Sequence, residues 1–160
     1  MLRVIRNNLI SLIFVVTIFL VDRLTKIYIL NLSEGGTEVD FYIFSFLNIY
    51  LVWNSGIGFG LFSSDPNLFY HFITFLIIVI NFILIYLLIK SSKQQSFLFA
   101  MILGGSLGNM YDRLSYFAVP DFIDFHIDDF HWFTFNFADV FISLGIFVMI
   151  VKEFLLRKKI

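Results

Sequence analysis

The chain has 160 residues, of which 14% are charged and 59% hydrophobic, with mean hydropathy +0.90 and a formal net charge of −1. A soluble globular domain carries about 25% charged residues, so this composition excludes one, and it equally excludes a disordered chain. Near-neutral charge gives no basis for nucleic-acid binding, and the absence of cysteine removes disulfides, thiolate metal sites and Cys nucleophiles.

Four segments reach the roughly 20 apolar residues that a spanning helix needs. The first runs over about 9–32 and is interrupted by Asp22, Arg23 and Lys26. Arg3 and Arg6 ahead of an apolar run imitate a signal peptide, but the first alanine is Ala100, so no Ala-x-Ala cleavage site precedes it and the helix is expected to be retained. Next comes an outer segment, 33–65. Its stretch Phe41–Asn54 is aromatic and β-branched, lies between Gly35-Gly36 and Gly56-x-Gly58-x-Gly60, and predicts one or two short strands. The second helix covers 66–89 without a charge, and the third covers 96–113, ending on Asp112-Arg113. An outer loop over 114–131 follows, then a fourth helix over 132–151 carrying Asp139 alone. Trp132 suits an interfacial position. With no linker or repeat, 1–160 reads as a single integral-membrane domain.

Basic residues set the orientation. Arg3, Arg6, Lys90, Lys93, Lys152, Arg157, Lys158 and Lys159 all fall on one side of four spans, which the positive-inside rule makes cytoplasmic. The outer segments hold Glu34, Glu38, Asp40, Asp65, Asp121, Asp124, Asp128 and Asp129, and neither Lys nor Arg. The fold class is therefore an all-α membrane protein of four transmembrane helices, with a small β-structure on the outer face.

Ionisable groups inside spans are costly and usually functional. At about 1.5 Å per residue, Asp22, Asp112 and Asp139 all come to the outer third of a core about 30 Å thick. Such convergence suits a site reached from outside or from the outer leaflet better than a charge relay across the membrane. Asp22 and Lys26 share a helical face, and Arg113, which cannot face its neighbour Asp112, is expected to serve another acid. Asp139 has no local cation and is expected to share a proton with a second carboxylate, Asp121 or Asp124. Two carboxylates holding one proton can activate water and polarise a carbonyl. No Gly-x-Ser-x-Gly elbow occurs to supply a serine nucleophile, and although His126 and His131, five apart beside Asp128 and Asp129, make a metal site conceivable, no H-E-x-x-H spacing occurs. His126 and His131 read as polar loop residues, with His71 at the outer end of helix two. Ala100, Gly104 and Gly108 form a ladder for close helix packing.

Four blocks, in order, resemble the bacterial lipoprotein signal peptidases (signal peptidase type II). They are Asp22-Arg-Leu-Thr-Lys26, then Asn54-Ser-Gly56 with Phe59, then Gly108-Asn109-Met-Tyr-Asp112-Arg113 with Asp121-Phe-Ile-Asp124, and finally Phe135-Asn136-Phe-Ala138-Asp139. The resemblance implies a membrane aspartic endopeptidase with Asp121 and Asp139 as its catalytic pair. Asp22, Lys26, Asn54, Gly56, Gly108, Asn109, Asp112, Arg113, Asn136 and Ala138 would support them or the substrate. It also implies a β-structure on the periplasmic face of the inner membrane, no cofactor, and cleavage of prolipoproteins on the amino side of a diacylglyceryl-modified Cys. Membrane lipid would be the other partner and a monomer the expected state. Arg23, Ile57, Gly58 and Phe133 depart from the family pattern and bear on the pocket wall.

Overall fold

The computed structural model describes residues 2–36, 38–56, 68–128 and 130–157. The predicted positions Ile57, Gly58, Phe59, Gly60, Asp65, Pro66, Asp129, Lys158 and Lys159 lie outside them, as do the side chains of Arg3, Arg6, Trp132 and Arg157. The chain order is α1 (Leu2–Glu34), β1 (Asp40–Phe44), β2 (Leu47–Asn54), α2 (Leu68–Lys90), α3 (Lys93–Tyr116), β3 (Val119–Ile127), β4 (Phe130–Phe135) and α4 (Phe137–Arg157).

Local chemistry explains the boundaries. α1 stops at Gly35-Gly36, where Gly36 adopts φ 79° and the two glycine amides close onto the carbonyls of Asn31 and Ser33, the left-handed ending that glycine allows. α3 ends on Phe117 at φ 57°. α2 and α3 are joined through Ser91 and Ser92 alone and form a tight helical hairpin. Tyr70–Lys90 in α2 is, among the described residues, the helix segment long and apolar enough to cross a membrane by length and composition.

The β-structure is larger than the sequence suggests. Four antiparallel strands form one sheet in the order β1-β2-β3-β4. The predicted outer loop 114–131 is a correction: α3 runs on to Tyr116, and β3 and β4 form a hairpin turning at Asp128, φ 50°. The fourth helix likewise begins at Phe137 rather than near Trp132, because 130–135 pair as a strand. His126 and His131 are therefore cross-strand neighbours instead of loop residues.

α3 lies at the centre of the bundle against α1, α2 and α4. Its glycines permit this. A Cβ on Gly104 would come within 2.8 Å of Ile18 Cβ on α1, and one on Gly105 would strike the Ala138 carbonyl on α4. Val15, Leu84, Leu88, Phe99, Ala100, Ile102 and Leu103 make the main core, and Ile29, Val39 and Phe122 join α1 to the sheet. The polarity is inverted relative to a water-soluble protein: Asp22, Lys26, Asp112 and Asn136 are wholly buried, whereas Phe75, Phe82, Tyr86, Phe147 and Phe154 are exposed.

Candidate active site

The site begins with a closed charge cluster between α1 and α3. Helical spacing puts Asp22 and Lys26 one turn apart. Lys26 Nζ donates to Asp112 Oδ2 at 2.7 Å and Asn109 Oδ1 at 2.8 Å and is ion-paired with Asp22 Oδ1 at 3.0 Å. Arg23 bridges the same acids, reaching Asp112 Oδ1 at 2.6 Å and Asp22 Oδ2 at 3.1 Å, and its guanidinium lies 4.8 Å from the centre of the Tyr111 ring. Two carboxylates and two cations cancel, as burial requires. Asp22 Oδ1 also accepts from Ala138 N at 3.0 Å, which ties the start of α4 to α1. Gly108 is glycine because any Cβ there would run into the Asp22 carboxylate. Arg23 thus belongs to this cluster and not to the pocket wall.

From the cluster, asparagines lead outward. Lys26 can only donate, so it fixes Asn109 with its oxygen inward and its Nδ2 donating to Asp139 Oδ1 at 2.8 Å. Asn136 precedes α4 and forms a reciprocal cap with Asp139: Asp139 N donates to Asn136 Oδ1 at 3.2 Å, and Asn136 N donates to Asp139 Oδ2 at 3.2 Å. This is a capping box with Asp at its fourth position, and the helix N-terminus favours negative charge there. The Asn136 side chain then reaches Asp121, Nδ2 donating to Oδ1 at 2.5 Å.

A second asparagine holds Asp121 from the other side. Asn54 Oδ1 accepts from Gly56 N at 3.0 Å in an Asx-type turn, which aims Asn54 Nδ2 at Asp121 Oδ2, 2.9 Å away. The turn is anchored by Arg113, whose guanidinium donates to the Gly56 carbonyl and lies over the Tyr70 ring, while Tyr70 Oη donates to the Arg113 carbonyl at 2.7 Å. Among the described residues Arg113 therefore serves a backbone carbonyl and an aromatic face rather than another acid, which differs from the expectation from its position.

Asp121 and Asp139 line one cavity of about 610 Å³ with Asn54, Asn109 and Arg113. Its remaining wall is largely apolar and comes from Ile73, Leu76, Ile77 and Ile80 on α2 and from Phe133 and Phe135 on β4. Burial, followed by the neighbouring Asp139 charge, raises the Asp121 pKa to about 7. Of the two acids that spacing left open, Asp121 shares the cavity with Asp139, whereas Asp124 accepts from His131 Nδ1 at 2.7 Å. Sequence reasoning did not find Tyr70, the cavity face of α2, or Gly105. The capping pattern Asn136-x-x-Asp139 was a signal for the true start of α4.

A mainly helical bundle with a small antiparallel sheet matches the fold of a bacterial membrane enzyme. Two solved structures described as bacterial membrane enzymes are similar to the chain. One has a TM-score of 0.75 at 27% identity over 93% of this chain and 88% of its own, the other 0.72 at 27% identity over 89% and 90%. The family profile described as Signal peptidase (SPase) II matches residues 14–155, and the chain belongs to that family of peptidases. Among its relatives, a lipoprotein signal peptidase of Pelagibacter ubique is 48% identical over 96% of this chain and 93% of its own. One of Anaplasma phagocytophilum is 38% identical over 96% of each. The protein is accordingly a signal peptidase II enzyme that processes lipoprotein signal peptides.

Proposed function

We propose that Asp121 and Asp139 are the catalytic pair of this peptidase and hydrolyse the peptide bond on the amino side of a lipid-modified Cys. The observation that carries the reading is Asn136, which donates to both carboxylates through separate N–H groups. The pair works as a unit with one proton, placed in this scheme on Asp121, whose carboxyl is raised to about 7 by burial and then by the Asp139 charge. Asp139, oriented by Asn109 and the α4 cap, takes a proton from water as the oxygen attacks the scissile carbonyl. Asp121 donates its proton to the carbonyl oxygen, giving a gem-diol. Collapse of the gem-diol breaks the C–N bond, the proton on Asp139 passes to the leaving amine of the Cys, and Asp121 recovers its own. No metal or cofactor enters these steps.

Asp22, Lys26, Asp112, Gly108 and Ala138 act one layer back, holding Asn109 and the start of α4. Asn54, Gly56 and Arg113 hold Asp121. The apolar α2 wall suits the acyl chains of a diacylglyceryl group, so that membrane lipid and the substrate's own lipid share one surface. Inverted polarity and the sidedness of the basic residues support four spans with both termini cytoplasmic, and the sheet and cavity at the outer face of the bacterial inner membrane.

Asp121→Asn and Asp139→Asn are expected to lower cleavage of a lipid-modified prolipoprotein by at least about 100-fold while membrane insertion persists. The assay is gel-shift processing in detergent or liposomes, and turnover at the unmodified rate by either variant would sink the assignment.

A further inference from the structure

Outside the cavity, the tip of the β3–β4 hairpin gathers a second group of ligating side chains. Asp124 and His126 stand two residues apart on one face of β3, and His131 faces His126 across the pair of strands. Their ligand atoms all lie within 4.8 Å of one another. His131 Nδ1 is 2.7 Å and His126 Nδ1 3.6 Å from the same Asp124 oxygen. A hydrogen bond between His131 and Asp124 accounts for only part of this. Asp124 is 1% exposed and His126 8%, yet Asp124 Oδ1 and His126 Nδ1 have no hydrogen-bond partner among the described residues. Buried polar atoms normally find partners, and one electrophile between the three side chains would satisfy both at once.

We infer that Asp124, His126 and His131 form a binding site for a divalent transition-metal ion such as Zn²⁺, separate from the Asp121–Asp139 cavity. Two imidazoles and one carboxylate suit Zn²⁺ and its neighbours and disfavour Ca²⁺ and Mg²⁺, which take oxygen ligands. Ligands at Zn²⁺ bond lengths of about 2.0–2.1 Å stand roughly 3.4 Å apart in a tetrahedron. The His126 spacing already matches. His131, with a side chain 58% exposed, is free to open its 2.7 Å contact, and its exposure gives the ion a route in and leaves a fourth position to water. Spacing along the chain shows the two histidines but not Asp124 beside them, because strand pairing rather than a contiguous motif brings His131 to its partners. A bound ion would clamp β3 to β4, which carry Asp121 and lead into Asn136.

The test is Zn²⁺ binding by the full-length enzyme in detergent micelles, stripped with chelator and titrated with ZnCl₂ against a fluorescent competitor, with bound metal counted by mass spectrometry. One Zn²⁺ per chain is expected. His131→Ala and His126→Ala should each weaken binding by more than about 100-fold, since even a residue that merely orients a ligand contributes about 10–100-fold. His71→Ala, exposed on α2, should leave binding unchanged. His131→Ala alters an exposed residue outside the cavity, and retained prolipoprotein cleavage certifies its fold. Failure to retain Zn²⁺ after chelator-free gel filtration, or undiminished binding by either variant in protein that still cleaves substrate, overturns the site. Metal stoichiometry is read independently of the catalytic assignment.

Discussion

Asp121 is where burial and charge act most directly on chemistry. Its pKa of about 7 lies far above the model-peptide value of 3.8, first because burial disfavours the carboxylate and then because Asp139 is near. A raised carboxyl pKa means that the proton is present below about 7 and lost as pH rises through that value. Cleavage that needs a singly protonated pair is therefore expected to fall about tenfold per pH unit above this point. A kcat/KM profile between pH 5 and 9 reads it, and a flat profile to pH 9 would contradict the assignment of the proton to Asp121. Asn136 makes a separate prediction. Asn136→Ala removes the donor to Asp121 and the acceptor that caps α4, so kcat should drop by about 100-fold and stability by about 1 kcal/mol. A serine at 136 should recover most of the stability, because it still caps, and little of the rate. Asp124, three residues on, shows how finely the strand discriminates: it has the same chemistry as Asp121 and a different partner.

Among the elements, the helices were the legible part. Apolar runs of spanning length and the turn at Gly35-Gly36 are written in the chain. The Asp22–Lys26 pair is too, since one helical turn is a local relation. The second half of the sheet was not legible. β3 (Val119–Ile127) and β4 (Phe130–Phe135) are short, and the strand that joins their hairpin to the rest of the sheet, β2, lies two helices away in the chain. Arg113 was misread for the same reason: its acceptor is a carbonyl at Gly56, which no charge pattern reveals. The ladder Ala100-Gly104-Gly108 was visible, though not that Gly105 serves the opposite face of α3. Glycine positions separate two kinds of cost. Gly36→Ala places a side chain at φ 79° with nothing within 4 Å and should cost about 1 kcal/mol with activity intact. Gly108→Ala drives a methyl into the Asp22 carboxylate and should lower the unfolding temperature far more and abolish activity, as nanoscale fluorimetry and processing assays would show.

For the whole molecule, the charge cluster balances the bundle. Lys26→Met leaves two buried carboxylates facing Arg23 alone and is expected to cost about 3–5 kcal/mol. Adding Asp112→Asn should return part of this, and a double-mutant cycle on thermal stability measures the coupling. The proposed four-span topology is testable because the chain has no cysteine. A single Cys at Tyr42, exposed on β1, should react with an impermeant maleimide in intact cells, and one at Gln94, exposed in the first turn of α3, only after permeabilisation; reversed labelling would overturn the orientation. The order in which these pieces are synthesised has its own consequence. Asn54, Asp121 and Asn136 are joined by bonds spanning 67 and 15 residues, with the α2–α3 hairpin inserted in the longer interval. A nascent chain emerging from the ribosome thus carries no assembled carboxylate pair until α4 has been made. With Asp121 and Asp139 as the proposed pair, proteolytic competence waits for α4, so chains halted before it are expected to be chemically silent in the membrane that receives them.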